Sequence, residues 1–360
     1  MKAIMKLIFP GIVICLAWNY PRLDKENAKL SNGKEWVKEA TKNYSPDSWD
    51  LLMQYESLPE STEAEAEDGR IAVTEKSVST FHYLEGRSRS ELLASMATNV
   101  HEIAHAYCGL NIFRHARQNG LRLDMNKAEE FLYYSPGRSF YVSFPLKSLF
   151  PSRELKAVIP RNLRTFRFDT YIDGITSTQS EGVIGLLNEL HSYYLESKFC
   201  LEMLEPYKIA AGSDVSGFFE WVHNTQSKMS AFYEFDFFIK EYLLYMKSKH
   251  PVQYKQLGNY RPFTEAYVAI RTSYEELTEE FLHKIRSEMT GLNSSGKAEV
   301  SLDGNELWIR EGNSDTSTGT PVFSEDFEIL MPVLESNRYQ EIVADFPEIK
   351  TISADWRRRR

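Results

Sequence analysis

Apolar residues recur at helical spacing in several long stretches of the chain. Leu92, Leu93, Met96, Val100, Ile103 and Ala104 mark one face of a helix over residues 88–107. Ser88 stands three residues before Glu91, a capping-box start. The same pairing of Thr178 with Glu181 predicts a second helix over residues 178–198. Longer helical patterns cover residues 214–249 and 263–289, and a shorter one covers 34–42. Strands are predicted at 140–145, 155–159 and 166–172, and residues 71–83 read as extended. Residues 298–310 read as a hairpin that turns at Asp303, Gly304 and Asn305. Residues 58–69 (LPESTEAEAEDG) carry almost no bulky apolar side chain and read as a solvated acidic connector. Residues 311–322 read as a loop. The order predicts an α+β fold in which helices dominate.

Composition narrows the class. A hydrophobic fraction of 42% over 360 residues supplies a sizeable core and excludes a disordered, collagen-like or multi-span membrane protein. The net charge of −9 argues against a general nucleic-acid binder, which needs a basic face. Lys2 and Lys6 precede an apolar run over residues 7–17, with the small residues Cys15 and Ala17 before Trp18. That order is the pattern of a signal peptide over residues 1–17, and the run is shorter than the roughly 20 residues of a membrane-spanning helix. It predicts an exported protein, secreted or periplasmic, with no integral membrane span. Acylation of Cys15 is the variant reading, disfavoured by the bulky Ile14 before it. The remaining chain divides into an N-terminal segment with its acidic linker (18–70), a candidate catalytic region (71–212), a helical subdomain (213–292) and a small β element with a tail (293–360). The tail ends in four arginines at 357–360, read as a solvated terminus.

Candidate chemistry lies in residues 99–109, NVHEIAHAYCG. His101 and His105 stand four apart on the best-defined helix. At about 100° per residue they lie roughly 40° apart and one turn along, so both imidazoles can reach one Zn²⁺. Glu102 lies beside them and suits a general base that takes a proton from an activated water. This is an HExxH motif, expected by chance on the order of 0.02 times in a chain of this composition. Zinc of this type needs a third protein ligand. A histidine six residues after His105 would supply it in the metzincin pattern, but that position holds Asn111.

The sequence resembles instead the gluzincin group of zinc metallopeptidases, on this motif and on residues 178–189, TQSEGVIGLLNE. The resemblance implies a zincin-like core and a third ligand on a second helix. Glu181, followed by Gly182, matches the Glu-Gly pair of aminopeptidase-like members. Gly185, one turn on, would let that helix approach the HExxH helix. Glu189 is the rival and is read as a structural or supporting carboxylate. Tyr171, His191, Tyr193 and Tyr194 are candidates for stabilising an oxyanion, with Tyr171 and His191 preferred.

Cys108 and Cys200 should be free thiols. If His105 and Glu181 share a metal and the second helix is straight, the two cysteines stand more than roughly 15 Å apart, too far for a disulfide. The expected function is an exported zinc-dependent hydrolase acting on a peptide or protein. Two alternatives stand beside it. One is a catalytically idle domain that binds a partner through exposed members of the aromatic set in residues 214–289. The other is a zinc hydrolase with a non-peptide substrate.

Overall fold

The computed structural model of the chain describes residues 23–346 apart from 176 and 312–316. The predicted signal peptide, Cys15 and the arginine tail lie outside them. Helix α1 (Leu23–Tyr44) and α2 (Pro46–Ser57) lead into the hairpin β1 (Ser61–Glu65) and β2 (Ile71–Glu75). Then come α3 (Arg89–Gln118), a second hairpin β3 (Lys127–Ser135) and β4 (Arg138–Pro145), and the short α4 (Phe168–Tyr171). The rest is α5 (Val183–Glu202), α6 (Leu204–Ala211), α7 (Asp214–Lys249), α8 (Pro251–Gly258) and α9 (Arg261–Ser295). These are followed by β5 (Ala298–Asp303), β6 (Glu306–Glu311), β7 (Thr318–Pro321), α10 (Glu325–Leu334) and α11 (Gln340–Asp345). All three sheets are small and antiparallel. The fold is α+β with helices dominant, as the hydrophobic pattern implies. None of the described helices is long and apolar enough to cross a membrane.

Helix α5 is the centre of the molecule. It packs against α3, α7 and α9 and against β3, so its whole circumference is covered. Its polar residues Asn188, Glu189, His191, Ser192, Glu196 and Ser197 are therefore buried along with its leucines. Buried polar groups need partners, and those partners build the site below. The aromatics of α7 that were candidates for an exposed binding surface, among them Phe218, Trp221, Phe232, Phe235, Phe237 and Phe238, are buried core. One contiguous apolar cluster runs from Val37 to Phe346.

Several local expectations change. The acidic stretch is not a loose connector. Residues 61–65 form β1, with Thr62 and Ala64 buried and the glutamates between them exposed. Small residues at every second position let this strand lie on α3 despite the absence of bulky apolar groups. Residues 155–159 and 166–172 are not strands. Turns of 3₁₀ helix cover Ser152–Ala157 and Arg161–Leu163, and α4 replaces the later strand. Prolines 151 and 160 punctuate this stretch and leave it no ladder partner. Strand β3 is not predicted by the pattern of apolar residues, and among the described residues it is the strand that pairs with β4.

The second helix begins later than its capping box implies. Residues Ser177–Glu181 form a 3₁₀ turn, and Gly182 at φ 57° breaks the chain before α5. A side chain at Gly182 would place Cβ 2.5 Å from the carbonyl oxygen of Phe150. At Gly185 a Cβ would lie 2.0 Å from the carbonyl oxygen of Thr178, so Gly185 admits the preceding turn rather than the HExxH helix. Backbone atoms cannot yield as a flexible side chain does. Gly185→Ala is therefore expected to destabilise the fold by about 3 kcal/mol, read as a lower denaturation midpoint at unchanged slope in urea.

Candidate metal centre

Helix α3 is capped as the sequence predicts, with Ser88 Oγ accepting from the amide of Glu91 at 3.2 Å. It presents His101 and His105 toward α5 one turn apart. Their Nε2 atoms face each other at 3.1 Å. The carboxylate that joins them is Glu189, whose Oε2 lies 3.4 Å from Nε2 of His105 and 3.8 Å from Nε2 of His101. In a tetrahedral site with bonds of about 2.0–2.1 Å, ligand atoms stand roughly 3.3 Å apart. The three separations bracket that value.

The outer nitrogen of His105 is hydrogen-bonded and that of His101 lies beside a carboxylate, both from α5. His105 Nδ1 donates to Asn188 Oδ1 at 2.8 Å, with Ser192 Oγ 3.3 Å away. His101 Nδ1 lies 3.1 Å from Glu196 Oε2. The bond to Asn188 leaves the lone pair of His105 on Nε2, and the carboxylate beside Nδ1 of His101 favours the same tautomer there although the pair lacks hydrogen-bond geometry. Two lone pairs aimed at each other across 3.1 Å repel unless a proton or a metal ion lies between them. The donor set therefore fits a divalent ion bound by His101, His105 and Glu189. Among the described residues this is the only group of three or more such side chains that converges on one point.

The charges agree with the geometry. Burial alone would lower the pKa of His105, but Glu189, Glu102 and Glu130 outweigh it and raise it to about 9. Burial likewise opposes ionisation of Glu189. The charges of His105 and His101, with hydrogen bonds from His105 and Thr178, nevertheless hold its carboxyl below the ordinary range. Glu196 is buried and yet acidic for the same reason, with His101 as its main partner. Cations are favoured at this point, and anions are stabilised around it.

Glu181 is not among the three converging side chains, which corrects its expected place as the third ligand. It sits in the turn before α5, and its carboxyl is hydrogen-bonded to that of Glu130 on β3. Because Gly182 interrupts the helix, Glu181 does not share the face of α5 that meets α3. The face that does meet it carries Asn188, Glu189, Ser192 and Glu196. A polar stripe at spacings of one, four and eight residues on an otherwise apolar helix was the signal for this set.

Burial and the charge of Glu181 push Glu130 up to about 8, and Asn188 donates to it. A carboxyl raised in the fold binds its proton there more tightly than in the unfolded chain. Stability should therefore fall as pH rises from about 4.5 to 8. Glu130→Gln should remove most of that fall, measured by urea unfolding of both proteins from pH 5 to pH 9.

Of the preferred oxyanion candidates, Tyr171 reaches the site and His191 does not. Tyr171 places its hydroxyl 3.2 Å from that of Tyr193, and burial together with the charge of Glu189 keeps it protonated. Tyr193 in turn lies edge-on against the His101 ring, 4.5 Å between centroids, under the buried Arg167 guanidinium. His191 projects toward β3 and donates from Nε2 to the carbonyl of Tyr133. Burial lowers its pKa to about 4, so it is a neutral core histidine. Tyr194 stacks on Tyr134. Glu102 is half-buried, and its charge is felt by His105 and Tyr83. The His105 side chain is 24% exposed whereas those of His101 and Glu189 are 8% and 7%, so the centre opens on the side of His105.

Cys108 and Cys200 are free and buried, as expected. Burial raises both thiols, Cys200 to about 12. The expectation holds although the geometric premise that led to it, Glu181 as third ligand with His105, does not. No protein-family model, no curated protein and no solved structure matches this chain.

Proposed function

We propose that the protein is a zinc-dependent hydrolase acting on peptide bonds, with a zincin-like arrangement of α3 and α5. The observation that carries the reading is the pair of Nε2 atoms facing each other at 3.1 Å beside Glu189, with Asn188 bonded to the outer nitrogen of His105 and Glu196 close to that of His101. His101, His105 and Glu189 are the residues that would hold zinc. When bound, zinc supplies a Lewis acid that acidifies water and polarises a carbonyl.

The chain's own residues do the rest. Glu102, on the same helix turn, takes the proton of the attacking water and returns it to the departing amine. The Tyr171 hydroxyl, kept protonated by burial and by the nearby Glu189, donates a hydrogen bond to the carbonyl oxygen as charge develops on it. Asn188 and Glu196 keep both imidazoles in the tautomer that points Nε2 inward. Export of the protein, predicted from residues 1–17, belongs to the same reading.

Metal analysis of the purified protein together with hydrolysis of a quenched-fluorescent peptide library tests this reading. About one zinc per chain and chelator-sensitive cleavage are expected. Bound zinc without cleavage of any peptide would leave a metal-binding domain or a hydrolase of another substrate.

A further inference from the structure

The residues that carry Tyr171 on their inner side support a second feature on their outer side. The 3₁₀ turns Ser152–Ala157 and Arg161–Leu163 border a groove of about 570 Å³ lined by Arg153, Glu154, Lys156, Arg161, Arg164 and Tyr245. Within residues 153–164 four cationic side chains stand against the single carboxylate of Glu154, in a chain whose net charge is −9.

Two of the cations are structurally committed. Arg164 Nη2 donates to the carbonyl of Lys156 at 2.8 Å and its guanidinium lies over the Phe168 ring. Lys156 pairs with Asp173 at 2.6 Å. Arg153 and Arg161 are different. Both are exposed and neither side chain makes a hydrogen bond or close ion pair among the described residues, although Arg153 lies near enough to Asp173 to help hold its carboxyl low. The groove thus has a braced wall, an apolar patch from Ala157 and the Tyr245 ring, whose hydroxyl bonds Glu154, and two exposed guanidinium groups that can pair with an anion.

Its place relative to the metal centre is set by two contacts. Ser152 Oγ donates to the carbonyl of Tyr171 at 3.2 Å, and Lys156 reaches Asp173 two residues further on. We infer that this groove is an exosite for an acidic stretch of polypeptide, and that the substrates of the centre carry such a stretch outside the cleaved bond. The word substrate rests on the peptidase reading; binding in the groove does not. Planar carboxylates match the two exposed guanidinium forks. A nucleic acid fits less well, because the groove offers one aromatic ring rather than a stacking platform and the rest of the chain is acidic.

Fluorescence anisotropy of the full-length Glu102→Gln protein tests the inference without turnover. The probes are a labelled peptide with a run of Glu and Asp, its Gln and Asn counterpart, and a single-stranded oligonucleotide. The acidic peptide should bind best, and the double variant R153E/R161E should weaken it on the order of tenfold or more. In otherwise wild-type protein, R153E/R161E should raise KM for acidic peptides while kcat for neutral ones stays unchanged. Equal binding of the neutral peptide, tighter binding of the oligonucleotide, or indifference to R153E/R161E would overturn the groove. Acidic-peptide binding that depends on both arginines, with no peptide cleaved by the wild type, would uphold the groove and sink the peptidase reading.

Discussion

Glu189→Ala is expected to strip the protein of zinc, while Glu181→Ala leaves the metal in place. The two residues are both glutamates near the start of the second helix in sequence, and only the structure separates them. Glu189 Oε2 stands 3.4 Å and 3.8 Å from the two histidine nitrogens. Glu181 is engaged with Glu130 in the turn beyond Gly182. Loss of an outer partner of a zinc ligand costs about 10–100-fold in metal affinity. Loss of a ligand itself should cost at least about 100-fold. Asn188→Ala and Glu196→Gln, which act on the outer rather than the inward-facing nitrogens of His105 and His101, should fall within that 10–100-fold range. Competition with a fluorescent zinc chelator measures all four variants on one scale. Full retention of zinc by Glu189→Ala together with its loss in Glu181→Ala would overturn the assignment.

Glu102→Gln should have the largest effect on turnover, lowering kcat by about 10²–10⁴-fold with zinc content unchanged. The amide keeps the shape of the side chain and its place on α3 but cannot take a proton. Glu102 is not among the three converging side chains, so metal affinity and the unfolding midpoint should stay near those of the wild type. Steady-state kinetics on a cleaved peptide, with zinc measured on the same sample, separates the two quantities. A variant that keeps full activity would remove Glu102 as the general base. A variant that loses zinc would show that its role lies in holding the site.

Much of the fold is legible along the chain because most of its mass is in long, strongly periodic helices. The predicted span 214–249 coincides with α7, and the HExxH helix begins after Ser88 as its cap implies. The misread segments are those whose conformation depends on partners. β1 is a strand because α3 offers it a surface for Thr62 and Ala64. Residues 155–159 have the apolar content of a strand, but prolines on either side leave them without a ladder. The turn at residues 177–181 imitates a capping box, and the φ of 57° at Gly182 is invisible in the spacing of Thr178 and Glu181. His191 carries the right side chain for catalysis on the right helix, yet its direction around α5 sends it to the carbonyl of Tyr133.

By itself the sequence determined the local half of the centre. His101, Glu102 and His105 lie within one and a half turns of a single helix, so helical periodicity alone brings both imidazoles to one side. The identity of the third carboxylate, and of the groups that aim the imidazoles, was decided only by tertiary structure. It depends on how α5 is rotated and shifted against α3. That register is set by contacts far apart in the chain: the break at Gly182, the Thr178 carbonyl seated against Gly185, and the burial of α5 among α3, α7, α9 and β3. A rotation of α5 by one residue, about 100°, would put a different side chain beside the histidines. No short-range pattern records that angle, because packing with the rest of the core chooses it.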